Sequence, residues 1–216
     1  MGFGRGEGAD RALSQGQCIV TAMALSRPRI LIPAVIAILL VLAGGGYWYW
    51  QQASSLPPPS GIAADTLPEG FKPMDPPMQM GGYAFQDADG NTVRLSDFKG
   101  RPILLNIWAK WCAPCLAEMP KLNKLQAEAA PDTLVVAAVA VDEPDPAKVR
   151  NFLANRRWDA LKPYLDPKNV FAKALEIKAI PVSLLIDKNG FALVRVDAPV
   201  DWYADDAIRL LKQTIL

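Results

Sequence analysis

Two cysteines stand two residues apart in Trp111-Cys112-Ala113-Pro114-Cys115. That spacing serves three chemistries: a structural metal site, a structural disulfide, or a thiol–disulfide exchange centre. A cysteine-only zinc site needs four thiolates in two knuckles, and the sequence supplies one knuckle. The chain contains no histidine. This removes histidine-ligated zinc, the Ser–His and Cys–His nucleophile pairs, and any histidine base. No metal and no cofactor are expected. A structural disulfide closing a two-residue loop would remove little chain entropy and stabilise little. Exchange is the chemistry this spacing serves best.

Placement decides how reactive such a pair is. The run RPILLNIWA before the motif is short, continuous and apolar, as a buried central strand requires. The run CAPCLAEMPKLNKLQAEAA after it carries Leu116, Met119, Leu122 and Leu125 at three-residue steps, a helical spacing. The cysteines therefore fall where a strand gives way to a helix. Unpaired backbone N–H groups and the helix dipole favour negative charge there, which lowers a thiol pKa. Cys112 is the expected nucleophile, capping the helix and the more exposed of the two. Cys115, on the same helical face and closer to the interior, is the expected resolving thiol. Pro114 fits the first turn, where its missing N–H breaks no helical bond.

The other elements follow from local pattern. YAFQDADGNTVRL reads as a hairpin about its Asp-Gly-Asn turn. TLVVAAVAV reads as a second buried strand, and DPAKVRNFLANRR and PKNVFAKALEI as helices. PVSLLID and FALVRVD flank Lys188-Asn189-Gly190 as a second hairpin, and WYADDAIRLLKQTIL closes as an amphipathic helix. The expectation is a mixed α/β domain with one central sheet over residues 81–216.

Ahead of this domain the composition changes. Residues 30–50 hold no charge and end in Tyr47, Trp48, Tyr49 and Trp50. About 20 apolar residues span a bilayer as a helix, and aromatic rings favour its interface. Arg27 and Arg29 precede the run, and the next charge is Asp65, which places the N-terminus in the cytoplasm and the domain outside it. A cleaved signal peptide, with Val41-Leu42-Ala43 as its cleavage-like site, is the alternative. Residues 1–29 form a cytoplasmic segment whose true start is Met23 or Met1; Cys18 has no expected role. Residues 51–80, with seven prolines, read as an extended spacer. Lysines and arginines total 23 against 22 acidic residues, so no nucleic-acid face is expected.

The stretch NIWAKWCAPC, with Pro120 behind it and AIPVSLLIDKNG further on, resembles the thioredoxin superfamily. The Glu118-Met119-Pro120 step, the apolar N-terminal run and the insert 142–178 are similar to its TlpA/ResA/DsbE branch. Pro199-Val200-Asp201-Trp202 before the last helix makes the likeness to TlpA-type members strongest. This resemblance implies a thioredoxin fold carrying an N-terminal hairpin and a central insert. It implies that Ile180-Pro181 is a cis-proline dipeptide facing the cysteines, with the Ile180 backbone free to bind an extended client and Trp111 shaping the client surface. It implies a redox-active disulfide Cys112–Cys115. It also implies that Glu118 tunes the cysteines or accepts their protons; a solvated surface glutamate is the competing reading. Asn106 stands where thioredoxins proper carry a buried aspartate, which leaves Glu118 the better base. Lys110 either adds local positive potential or is solvated. Trp108 is expected to pack around the site.

By the same resemblance the chain is a single-pass protein of the bacterial inner membrane with a periplasmic catalytic domain. Its expected partners are a transmembrane thiol reductase as electron donor and protein clients with oxidised cysteine pairs. These would be copper-site proteins of cytochrome oxidase or apocytochrome c. Ala113-Pro114 offers no group that would strongly stabilise a thiolate, which points to a reductant. A Cu(I)-binding or client-binding module without turnover is the alternative, since thiolates are soft ligands. A peroxidase is excluded because Leu105 and Ala109 occupy the positions its motif needs before Cys112.

Overall fold

The computed structural model describes residues 62–129 and 133–214. The N-terminal segment with Cys18, the apolar run 30–50 and the first part of the spacer lie outside the described residues. Among the described residues, no helix is long and apolar enough to cross a membrane.

Eight strands form one mixed sheet in the order β1-β8-β7-β4-β5-β6-β2-β3. In chain order these are β1 (Phe71–Gln79), β2 (Ala84–Gln86), β3 (Thr92–Arg94), β4 (Ile103–Trp108), β5 (Val135–Ala140), β6 (Tyr164–Leu165), β7 (Val182–Ile186) and β8 (Phe191–Val196). Among the described residues four α-helices accompany them: α1 (Ala113–Glu128), α2 (Pro146–Asn155), α3 (Val170–Ala174) and α4 (Asp205–Thr214). Strand β4 lies near the centre, parallel to β5 and antiparallel to β7.

Side chains of a strand alternate between the two faces of its sheet. In β4, Leu104 and Trp108 join one core cluster, with α1, α2 and α4. Ile103, Leu105 and Ile107 join the other, with α3 and the β2 hairpin. The same parity sends Asn106 toward α1, and the register sets it opposite Ser183 of β7. All six residues of β4 are buried, so the continuous apolar run reflects cover on both faces.

The structure departs from the sequence reading in three places. Residues 71–79, expected inside the Pro-rich spacer, form strand β1 and pair antiparallel with β8. Pro73, Pro76 and Pro77 are tolerated because β1 is an edge strand and its register shifts between Pro73 and Met78. Phe71 packs edge-on against Trp202 at 6.2 Å, which ties this segment to the core. The helix expected over 167–177 shrinks to α3. Asp166 accepts hydrogen bonds from Val170 and Phe171 N–H at its start, and positive φ at Glu176 ends it before the chain turns into Pro181. Third, the insert 142–178 contains a short strand, β6, which joins the β2–β3 hairpin to the sheet.

Candidate active site

Helix α1 begins one residue after Cys112, which is its N-cap. The Cys112 Sγ accepts the Cys115 N–H at 3.2 Å, so the sulfur sits at the positive end of the helix. Cys112 and Cys115 are joined as a disulfide, with Cα atoms 5.3 Å apart. Both residues are buried, Cys115 completely and Cys112 at the rim. Pro114 lies in the first turn.

The Ile180–Pro181 peptide bond is cis. The Ile180 carbonyl oxygen lies 3.6 Å from the Cys112 sulfur. Trp111, in contrast, is 72% exposed and is the exposed large hydrophobic residue of the described chain. Trp108 is buried against Phe152, with ring centroids 5.7 Å apart. The sulfur, the Ile180 backbone and an exposed indole thus meet at one surface.

Beneath them lies a buried polar cluster. Glu118 follows Cys115 by one helical turn and is 3% exposed, so the solvated reading of this residue is wrong. Its Oε1 accepts from Asn106 Nδ2 at 2.6 Å and its Oε2 from the Val200 N–H at 2.9 Å. The Trp202 indole N–H turns to the same carboxylate without closing a hydrogen bond of ordinary geometry. Asn106 also donates to Ser183 Oγ at 3.0 Å, while its own Oδ1 is buried without a partner. Burial pushes the Glu118 carboxyl up to about 7; the hydrogen bonds from Val200 and Asn106 oppose that rise without cancelling it. A carboxyl poised near neutrality below a cysteine pair can take or give a proton there.

Lys110 is half-buried and ion-paired, not a free solvated charge. Its Nζ lies 2.6 Å from Glu143 Oε2, and its backbone N–H donates to Asp142 Oδ2 at 3.0 Å. Sequence reasoning missed Ser183, Val200, Asp142 and Glu143. Only Val200 carried a signal, through the Pro-x-x-Trp stretch that contains it.

An N-capping cysteine, a buried partner one turn on and an adjacent carboxyl are the parts of a thiol–disulfide exchange centre. The Redoxin family model matches residues 63–201, which include both cysteines, Glu118, Asn106 and Ile180-Pro181. The chain belongs to the Redoxin family. Its fold is the thioredoxin fold, and within that fold it falls in the ResA/DsbE branch of protein thiol-disulfide oxidoreductases. Thiol-disulfide oxidoreductase ResA of Bacillus cereus is 33% identical over 136 residues, covering 61% of this chain and 77% of ResA. The exposed lipoprotein thioredoxin Etrx1 of Streptococcus pneumoniae superposes with a TM-score of 0.51 at 29% identity, over 61% of this chain and 98% of Etrx1. A protein designated thiol:disulfide interchange protein DsbE, from Chlorobium tepidum, does so with a TM-score of 0.52 at 28% identity, over 63% and 94%. Among the described residues of this oxidoreductase, the cysteines joined as a disulfide are Cys112 and Cys115.

Proposed function

We propose that this oxidoreductase is a membrane-anchored reductant, working in the periplasm on oxidised cysteine pairs of proteins that mature cytochrome oxidase copper sites or cytochrome c. The observation that carries the reading is the position of the Cys112 sulfur, at a helix N-terminus, 3.6 Å from the Ile180 carbonyl and next to exposed Trp111. An extended client segment lying along the Ile180 backbone would present its disulfide to that sulfur.

In the reduced chain the Cys112 thiolate attacks one sulfur of the client disulfide. The client S–S bond breaks, a mixed disulfide forms, and the second client sulfur leaves as a thiolate and takes up a proton. Cys115 then gives its proton to the ionised Glu118 carboxylate and attacks the Cys112 sulfur. The mixed disulfide breaks, the released client sulfur leaves as a thiolate and takes that proton back from Glu118, the client departs as a dithiol, and the Cys112–Cys115 disulfide remains. Two electrons have passed to the client. A transmembrane thiol reductase restores the dithiol.

The direction follows from what surrounds the sulfur. Ala113 and Pro114 carry no charge, and no histidine exists to hold a thiolate strongly. Such a couple belongs in the reducing half of the range for this fold, about −270 to −120 mV. Equilibration of the full-length chain against glutathione measures it. A potential well below about −200 mV is the expected result. A value near the strong-oxidant end would make the protein a disulfide donor. Cys115→Ser tests turnover against passive Cu(I) carriage: it should trap clients through Cys112, whereas a metal carrier traps nothing.

A further inference from the structure

Strands β4 and β5 are parallel neighbours, with Trp108 paired to Ala140. Their following loops therefore leave the sheet side by side. The Val141 N–H donates to the Trp108 carbonyl at 3.0 Å. Two residues past the register pair on each strand, Lys110 meets Asp142. The Lys110 N–H binds the Asp142 carboxylate, and the Lys110 ammonium binds Glu143 at 2.6 Å. Lys110 is thus fastened at its backbone and at its side-chain tip to consecutive residues of the insert.

Glu143 is itself held. It is buried, its Oε1 accepts the Asp145 N–H at 3.2 Å, and Lys148 approaches it at 3.5 Å. The hydrogen bond from Lys110 is the main reason its carboxyl sits below the usual carboxylate range. Lys110 keeps only 24% of its side chain exposed. A charge-assisted bond of this length, between two partly shielded groups, fixes geometry more firmly than an exposed ion pair. The turn that follows is short. The Cys112 N–H closes back on the Ala109 carbonyl at 3.1 Å, with Lys110 and Trp111 in between. Holding Lys110 holds that turn, and the turn sets where Trp111 projects and where the Cys112 sulfur meets Ile180.

We propose that Lys110 is a positioning residue for the exchange reaction: its double attachment to Asp142 and Glu143 fixes the Trp111–Cys112 turn against Ile180 for attack on extended protein clients. This rests on the reading of Cys112 as the attacking thiol. Lys110 touches no reacting atom. Its charge is already answered by Glu143, so it acts through the turn and not through the Cys112 thiolate.

The test separates placement from charge. Full-length Lys110→Met and Glu143→Gln are compared with the parent on two disulfides. One is a short synthetic peptide closed by an internal disulfide, which must lie along Ile180. The other is 2-hydroxyethyl disulfide, which need not. Displacement of reacting groups by about 1 Å can cost about a hundredfold in rate. We expect the peptide rate to fall about tenfold in both variants. The small-disulfide rate and its pH profile should stay as in the parent. Lys110→Arg, which keeps a cation able to reach Glu143, should recover most of the peptide rate. Equal slowing on both disulfides with a displaced pH profile would mean that Lys110 acts by charge, and would overturn the proposal. Unchanged peptide rates would overturn it too. Cys115→Ser in the otherwise unaltered chain guards the premise. If it traps no peptide, the reading of Cys112 fails and the clamp with it. If it traps peptide while the Lys110 and Glu143 variants react as the parent does, only the clamp fails.

Discussion

The Asn106 side-chain amide donates to the Glu118 carboxylate at 2.6 Å, inside a core where both residues are shut off from solvent. The pair joins central strand β4 to α1, the helix that Cys112 caps and that carries Cys115.

Glu118 gives stability a pH dependence of definite sign. Its carboxyl titrates near 7 in the fold, against 4.5 as the ordinary value. Between these values the folded chain holds a proton that the unfolded chain has released. The contribution of Glu118 is thus fully present below about pH 4.5 and is lost as pH rises through about 7. Glu118→Gln should remove this slope. A glutamine can still accept from Val200, and a turned Asn106 amide can offer its unpartnered Oδ1 to the new NH2 group. Urea midpoints at pH 5 and pH 8 should converge in the variant and differ in the parent.

The same substitution should slow the second half of the reaction. General acid–base assistance contributes about 10²-fold or more. Release of a client from its mixed disulfide should therefore drop by about that factor in Glu118→Gln. In the parent, release should quicken as pH rises through about 7, because only the ionised carboxylate can accept a proton. Stopped-flow release from a preformed mixed disulfide measures both effects.

Asn106→Asp would set a second carboxyl against Glu118 within hydrogen-bond distance. Two such groups share one proton readily but cannot both ionise in a buried site. The variant should be close to the parent at pH 5 and destabilised by about 3 kcal/mol at pH 8. Denaturant titration at the two pH values decides this.

Trp111→Ala removes an exposed ring that packs on nothing in the core. Stability should change by no more than about 0.5 kcal/mol. Trapping of protein clients by the Cys115→Ser background should weaken several-fold, because aromatic residues supply much of the binding energy at protein contacts. Unaltered trapping would remove Trp111 from the client surface.

Trp202→Ala should act on the fold first. The ring is completely buried and meets Phe71 edge-on. Loss of a buried tryptophan costs about 3–5 kcal/mol. The variant should also loosen β1, which protease sensitivity near Phe71 would register.

The cysteine pair, the strand before it and the helix after it were legible because each is written locally, in a few consecutive residues. What surrounds them was less so, for physical reasons. The apolar run of β4 announces a buried strand, yet a strand buried on both faces shows no polar alternation. Nothing in the run reveals that Asn106 looks toward Glu118. The bond from Lys110 to Glu143 joins residues 33 apart and follows only from the parallel register of β4 and β5. In residues 71–79, prolines favour extended backbone, which a spacer and an edge strand share. The difference lies in Phe71, whose partner Trp202 is distant in sequence. The left-handed turns at Asn169 and Glu176, which cut α3 short, occur at residues with no glycine to mark them.

Those prolines of β1 also bear on how copies of this protein behave when crowded. An open sheet edge is a template on which a neighbouring chain can add a strand. Here one edge is a strand in which Pro73, Pro76 and Pro77 have no N–H to offer and Asp75 carries a charge, and the other is the three-residue β3. Neither can extend the sheet into a second molecule at length. Both ends of the sheet thus disfavour strand addition, so the molecule's own edges do not invite chain-to-chain pairing at high concentration.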